Sequence, residues 1–130
     1  MPTWVVIVVV IAVLGYFMLR SRTAGKGVEQ ISGDQLRALL DDKAGAAKRQ
    51  FIDVREPFEY RGGHIRGMKN IPVGEIGRRL PEIRKDAEVV VMCRSGHRSM
   101  MAARTLKKNG YDHVLNVQGG IGSWRGPLQK

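Results

Sequence analysis

The single cysteine of the chain, Cys93, lies in surroundings that could make it a nucleophile. It follows an apolar run at 88–92 and precedes a helix-like stretch at 99–108, and a helix start offers unpaired N–H groups and the positive end of the helix dipole. Arg94 and Arg98 add two positive charges. These features favour a thiolate, the nucleophilic form of cysteine. The alternative is a buried structural cysteine at a strand end, although such a cysteine does not require basic neighbours.

The loop after the cysteine indicates what this nucleophile could bind. If its successive N–H groups turn inward, they form a concave nest for an oxyanion, a thiolate or the terminal sulfur of a persulfide. We assign the two arginines to binding of the anionic reactant that donates to the cysteine and to stabilisation of the thiolate, and the serines to hydrogen bonds with the sulfur. The glycine is assigned to a backbone conformation or a close approach that a side chain would block, and the histidine to the shape or selectivity of the rim of the site. The alternative for the arginines is that they are solvated loop charges. The predicted loop residues are Arg94, Ser95, Gly96, His97, Arg98 and Ser99.

Five short apolar runs separated by helical segments predict the elements that position this loop. The strands are expected at 28–31, 51–54, 71–73, 89–92 and 113–117, and the helices after Ser32, from Pro57, at 75–80 and at 99–108. This alternation implies an α/β fold with a mostly parallel central sheet and helices on both faces, in which sites lie at the carboxyl ends of strands. Cys93 falls at such an end.

Four stretches in this order resemble the rhodanese-like sulfurtransferases. They are DVRE at 53–56, GHIRGMKNIP at 63–72, CRSGHRS at 93–99 and NVQGGI at 116–121, followed by Trp124. Arg66 stands where the family often has Pro, and Met68 where it often has Ala. Both positions lie away from the cysteine loop.

The resemblance implies the atom transferred and the partners. Sulfane sulfur would pass from an anionic donor such as thiosulfate to Cys93, and then from the persulfide to cyanide, a cellular thiol or a protein sulfur acceptor. Asp53 and Arg55 would brace the active-site loop, and Arg55 could also meet substrate. The alternative for both is a plain surface ion pair. No metal and no cofactor is predicted.

Two other functions remain open. A related fold uses Cys-x5-Arg to encircle phosphate in phosphatases, but that motif requires arginine at position 99, where this chain has Ser99, and Arg98 comes one position early. A non-enzymatic alternative is a membrane-tethered persulfide carrier or interaction module without thiosulfate turnover.

Composition limits the class of partner. The 22 Lys and Arg against 12 Asp and Glu give a net charge of +10, which suits small anions, anionic lipid or nucleic acid. Aromatic residues are only 6% and do not alternate with basic runs, so nucleic-acid binding is not predicted. One cysteine excludes an internal disulfide.

The N-terminus predicts a membrane anchor. Residues 3–19 contain no charge, and Trp4 and Tyr16 could lie at the interfaces. A signal peptide is disfavoured because no basic residue precedes the apolar run and no clear cleavage site follows it, and a buried helix is disfavoured by hydrophobicity on all sides. We therefore predict a transmembrane helix at 1–20 in contact with membrane lipid, a tether at 21–27 and a rhodanese-like domain at 28–130.

The basic residues after the apolar run predict the orientation of this single-pass anchor. Arg20, Arg22 and Lys26 follow it directly. By the positive-inside rule, they place the catalytic domain in the cytoplasm.

Overall fold

The computed structural model describes residues 2–25 and 27–130, with the side chains of 20–25 left out. Its helices and strands alternate along the chain after the first helix, and short 3₁₀ turns lie between several of them. In chain order they are α1 (Thr3–Gly25), β1 (Val28–Ile31), α2 (Gly33–Asp41), β2 (Arg49–Asp53), α3 (Pro57–Gly62), β3 (Lys69–Asn70), β4 (Glu88–Met92), α4 (His97–Lys108) and β5 (Val114–Val117).

The N-terminal helix differs from the predicted anchor. Within the described part of the chain, no helix combines the length and the apolar character that a membrane crossing needs, so the transmembrane helix predicted at 1–20 is not supported. The uncharged stretch 3–19 rises only about 26 Å as a helix, against about 30 Å for a hydrocarbon core. Helix α1 also continues to Gly25, through most of the predicted tether. The side chains of the predicted basic cluster, Arg20, Arg22 and Lys26, lie outside the described residues, and the cytoplasmic orientation stays a prediction.

The five described strands form one parallel sheet in the order β1-β5-β4-β2-β3. This arrangement confirms the predicted parallel sheet. Strand β4 is central and pairs β2 and β5, so its carboxyl end lies between the carboxyl ends of two neighbours. In the register of β2 and β4, Asp53 lies opposite Met92, and the N–H of Val54 donates to the Met92 carbonyl at 2.8 Å. The residues after β2 and β4 therefore lie side by side.

Apolar side chains cover both faces of β4, which explains its continuous apolar sequence. Val89 and Val91 pack into one layer with the buried face of α4, and Val90 and Met92 pack into the opposite layer with Leu36 of α2. Helix α2 begins at the predicted capping box, in which the side chain of Ser32 accepts the N–H of Gln35 at 3.0 Å. The sheet is thus sandwiched between helical layers, as predicted.

Three local predictions are wrong in their bounds. The strand expected at 71–73 is β3, Lys69–Asn70, because Pro72 has no N–H for a ladder and a 3₁₀ turn begins at Val73. The helix expected at 75–80 is this same 3₁₀ turn, Val73–Arg78. Helix α4 begins at His97, two residues earlier than expected, so three residues of the expected loop, His97, Arg98 and Ser99, lie in its first turn.

Candidate active site

The predicted nucleophile, Cys93, directly follows β4 and precedes α4 by a loop of three residues. Its exposed fraction is 1%, and it borders the apolar layer beneath α4. The sulfur nevertheless faces polar groups of the loop. Sγ accepts the N–H of Gly96 at 2.9 Å and lies 3.4 Å from Oγ of Ser99. The cysteine is therefore buried within a polar cradle.

This cradle changes the acidity of the thiol. Burial by itself raises the pKa of Cys93, because it disfavours the charged form. Hydrogen bonds from the side chain and N–H of Ser99, and from the N–H groups of Gly96 and Ser95, outweigh burial and hold the pKa below its ordinary value. Of the predicted nest, the N–H of Gly96 lies within hydrogen-bonding distance of the sulfur, and the full nest stays a prediction.

Gly96 gives the loop its shape. Its φ of +104° lies in the left-handed region, which favours glycine, and it is the N-cap of α4. This conformation turns its N–H toward Sγ of Cys93 while its carbonyl oxygen remains 3.1 Å from Oγ of Ser99. Of the two roles predicted for this glycine, a special backbone conformation and room for a close approach, the structure shows the first.

Ser99 connects the sulfur to the sheet. It is fully buried in the first turn of α4, and its hydroxyl donates to Oδ1 of Asn116 on β5. Sequence reasoning assigned no role to Asn116. The sequence feature that could have indicated a role for it is its position as a polar residue inside the otherwise apolar strand Val114–Val117.

Arg98 does not contact the sulfur. Its guanidinium forms two hydrogen bonds with the carboxylate of Glu59 on α3, at 2.6 and 3.0 Å. This pairing holds the pKa of Glu59 at about 2, mainly through the Arg98 hydrogen bonds. The same pairing raises the pKa of Arg98, to which the nearby Cys93 also contributes by charge attraction. Arg98 therefore acts on the sulfur only through its charge, and Glu59 is a partner that sequence reasoning missed.

The remaining loop side chains are exposed at the rim. Arg94, Ser95 and His97 are all exposed, and His97 begins α4. Arg94 also lines an open groove of about 380 Å³ beside the loop. The other residues lining this groove are Arg55, Phe58, Glu59, Gly62, Gly63, Ile121 and Leu128.

Asp53 and Arg55 form a buried pair, not a surface one. Their exposed fractions are 0% and 5%, and Nη2 of Arg55 lies 2.8 Å from Oδ2 of Asp53. The guanidinium of Arg55 also donates to the carbonyl oxygens of Glu59 and Gly63, at 3.4 and 2.8 Å. The pair thus holds α3, which in turn presents the Glu59 carboxylate to Arg98. Its bracing of the loop is indirect.

The segment after β5 packs against the backbone of the cysteine loop. The N–H of Ile121 donates to the carbonyl of Cys93 at 2.9 Å. Gly120 has a φ of +57°, and a Cβ there would overlap with the carbonyl groups of Cys93 and Arg94. Sequence analysis treated this glycine only as part of a turn.

The described residues contain no group of three or more His, Cys, Asp or Glu side chains that could hold a metal ion. The site places a cysteine in a polar cradle that favours the thiolate form.

Comparisons with known proteins agree with this geometry. The model of the rhodanese-like domain matches residues 32–126. The "Sulfurtransferase" of Allochromatium vinosum is 38% identical over 97 residues, which cover 75% of this chain and 88% of that protein. The "Putative sulfur carrier protein YrkF" of Bacillus subtilis is 47% identical over 78 residues, which cover 60% of this chain but only 42% of that protein.

A solved structure also shares the fold. The crystal structure of a rhodanese-like domain protein from Staphylococcus aureus is 32% identical in sequence, with a TM-score of 0.67. The match covers 78% of this chain and 96% of that chain.

Proposed function

The chain belongs to the rhodanese-like domain family. Because its relatives include a sulfurtransferase and a putative sulfur carrier, we propose that it is a sulfurtransferase that stores sulfane sulfur on Cys93. The proposed donor is a small anion such as thiosulfate, and the acceptor is cyanide or a thiol. The observation that carries this proposal is the N–H of Gly96 directed at Sγ of Cys93 at 2.9 Å. A donor in this position stabilises a negative charge on sulfur before and after transfer.

The reaction divides into two displacements. The Cys93 thiolate attacks the outer sulfur of thiosulfate, the S–S bond of thiosulfate breaks, and sulfite leaves with the bonding electron pair. The product is a persulfide anion on Cys93, so the total charge of −3 is unchanged. Cyanide then attacks the outer sulfur, the cysteine thiolate leaves and thiocyanate forms. A covalent intermediate of this kind predicts ping-pong kinetics.

Burial of the cysteine suits the second displacement. An S–S bond is about 2.05 Å long, so the outer sulfur of a persulfide extends beyond the position of Sγ. We propose that it extends toward the exposed residues of the loop, Arg94, Ser95 and His97. An acceptor could meet it there without reaching Sγ itself.

The acceptor must be another molecule. Cys93 is the only cysteine of the sequence, so the chain offers no second thiol to resolve the persulfide. A cellular thiol or the thiol of a partner protein can fill this role. The exposed Arg94 is suited to an anionic donor or acceptor, because it carries a charge at the mouth of the cradle.

A second candidate is a sulfur carrier that receives a persulfide from a partner and does not turn over thiosulfate. The similarity to a protein named as a sulfur carrier favours it. The same cradle would stabilise a persulfide whichever molecule supplied it.

A phosphatase is disfavoured by the contacts of the loop. Position 99, where Cys-x5-Arg would place arginine, is a buried serine. The arginine before it is occupied by Glu59 at 2.6 Å. Two of its N–H groups are therefore already used by that carboxylate.

The test is steady-state transfer from thiosulfate to cyanide by the full chain, with Cys93→Ala as the matched control. Mass spectrometry of the thiosulfate-treated protein, before and after cyanide, reports whether Cys93 gains one sulfur atom. An active chain with a cyanide-removable adduct supports the enzyme, and an adduct formed only from a persulfide donor, without thiosulfate turnover, supports the carrier. Turnover of p-nitrophenyl phosphate above sulfur transfer would overturn both.

A further inference from the structure

Asn116 is a buried amide that the proposed chemistry leaves without a role. Its exposed fraction is 2%, and it lies on β5 opposite Gln30 of β1 and Val91 of β4. Neighbouring residues of this strand are apolar. A buried amide costs free energy unless its donors and acceptors are matched, so packing alone does not explain its presence.

The amide is matched on both sides. Its Oδ1 accepts the hydroxyl of Ser99, and its Nδ2 donates to Oε1 of Gln30 at 2.8 Å. Nε2 of Gln30 in turn lies 3.1 Å from Sδ of Met100 on α4. Together with the contact between Ser99 and Cys93, these bonds form a continuous chain from the sulfur to the side chain of Gln30, which lies in an exposed position.

In this series of hydrogen bonds, the hydroxyl proton of Ser99 lies next to the sulfur and can point in more than one direction. A hydroxyl has a single proton, yet Oγ of Ser99 has three neighbours that can accept it: Sγ of Cys93, the carbonyl of Gly96 and Oδ1 of Asn116. In the thiol form, S–H donates to Oγ and the hydroxyl proton goes to Asn116. In the thiolate or persulfide form, sulfur carries only lone pairs and needs the hydroxyl proton itself.

An amide can serve both forms of the sulfur. With Oδ1 toward Ser99, it accepts the proton; with its two ends exchanged, Nδ2 donates to Oγ and leaves the proton to the sulfur. Gln30 can follow this exchange, because it is also an amide and can present either end. The charged and titratable groups around the loop lie outside this series of hydrogen bonds: Arg98 pairs with Glu59, Arg55 pairs with Asp53, and Arg94 and His97 are exposed.

We propose that Asn116 is a positioning residue for Cys93, which acts by directing the proton of Ser99 toward or away from the sulfur. The inference rests on the proposed function, because the persulfide cycle is what changes the sulfur's need for a donor. Loss of the amide removes the Nδ2 donor that would leave the hydroxyl proton to the sulfur, while the Gly96 carbonyl, 3.1 Å from Oγ, still competes for that proton. The thiolate is then less well stabilised, and the kcat of transfer falls while the KM for the donor changes little.

The test is a double-mutant cycle read by alkylation. The rate of iodoacetamide reaction with Cys93 is measured against pH for the full chain, Asn116→Leu, Ser99→Ala and the double variant. We expect Asn116→Leu to raise the midpoint of this pH dependence by about half to one pH unit when Ser99 is present. In the Ser99→Ala background, we expect the same substitution to shift the midpoint little further. An unchanged midpoint, or the same shift in both backgrounds, would overturn the proposal.

Two controls separate positioning from general damage. Val114→Ala removes packing from the same face of β5 two residues away, and it should lower the unfolding temperature without moving the midpoint. If Asn116→Leu does not fold, Asn116→Ser takes its place, since a short hydroxyl cannot bridge Ser99 and Gln30, and the same upward shift is expected. Alkylation requires no sulfur donor, so this result stands or fails independently of thiosulfate turnover.

Discussion

The carboxylate of Glu59 holds the guanidinium of Arg98 by two hydrogen bonds of 2.6 and 3.0 Å. The pair joins α3 to the first turn of α4, next to the cysteine loop. A basic residue that could have bound the donor is instead used to hold two helices together. Its positive charge still acts at a distance on the sulfur, since Cys93 contributes to the raised pKa of Arg98.

This pair predicts a loss of stability in acid. The pKa of Glu59 is about 2 in the folded chain, against an ordinary value of 4.5, so its stabilisation is fully present above pH 4.5 and is lost as the pH falls toward 2. Glu59→Gln should therefore lower the free energy of unfolding at pH 7 by about 1 kcal/mol, and by almost nothing near pH 2. Urea unfolding at several pH values checks this. A difference that stays constant with pH would contradict it.

Arg94 should control donor affinity. Its charge is exposed at the rim of the cradle, so Arg94→Gln removes attraction for an anion without disturbing the N–H groups around the sulfur. We expect the KM for thiosulfate to rise several-fold, about 1 kcal/mol, with kcat nearly unchanged and the effect reduced by salt. Arg37→Gln, an exposed arginine on α2, makes the same change in net charge and serves as control. An equal rise in KM for both variants would assign the effect to net charge alone.

The buried pair of Asp53 and Arg55 should be important for stability. Asp53→Asn leaves the guanidinium of Arg55, 5% exposed, without its counter-charge. We expect a loss of about 3–5 kcal/mol in the free energy of unfolding, measured by urea denaturation. Glu75→Gln breaks the partly exposed pairs of Glu75 with Arg78 and Arg79 and should cost less than about 1 kcal/mol. Similar costs for the two variants would show that burial of the first pair has no energetic weight.

Gly120 should be intolerant of any side chain. A Cβ there meets the backbone of the cysteine loop, which cannot move aside as a flexible side chain can, and its φ of +57° adds strain. Gly120→Ala should lower the unfolding temperature, and it should lower the rate of sulfur transfer by at least tenfold because the cysteine loop is displaced. Gly74→Ala, where a Cβ has open space, is the control and should leave transfer unchanged. Wild-type transfer by Gly120→Ala would refute this account of the loop.

Local features of the site could be predicted from the sequence because they depend on neighbours along the chain. Cys93 at the end of an apolar run, Gly96 at a sharp turn and the capping box at Ser32 each require only a few adjacent residues. The bounds of weaker elements could not be predicted in the same way. Pro72 removes one ladder bond, but whether the chain then forms a strand or a 3₁₀ turn depends on what packs around it.

Hydrophobic periodicity and short motifs are properties of contiguous residues, so the candidate nucleophile, the parallel α/β class and the family resemblance could all be predicted from the sequence. The side chains that surround the cysteine depend on how distant segments pack together. Glu59 lies 39 positions before Arg98, and Asn116 lies 17 positions after Ser99. These pairs meet because β4 lies between β2 and β5, which brings the segments after β2 and β4 and the end of β5 to one edge of the sheet. Strand order is a property of the whole packed core, and no single stretch of sequence encodes it.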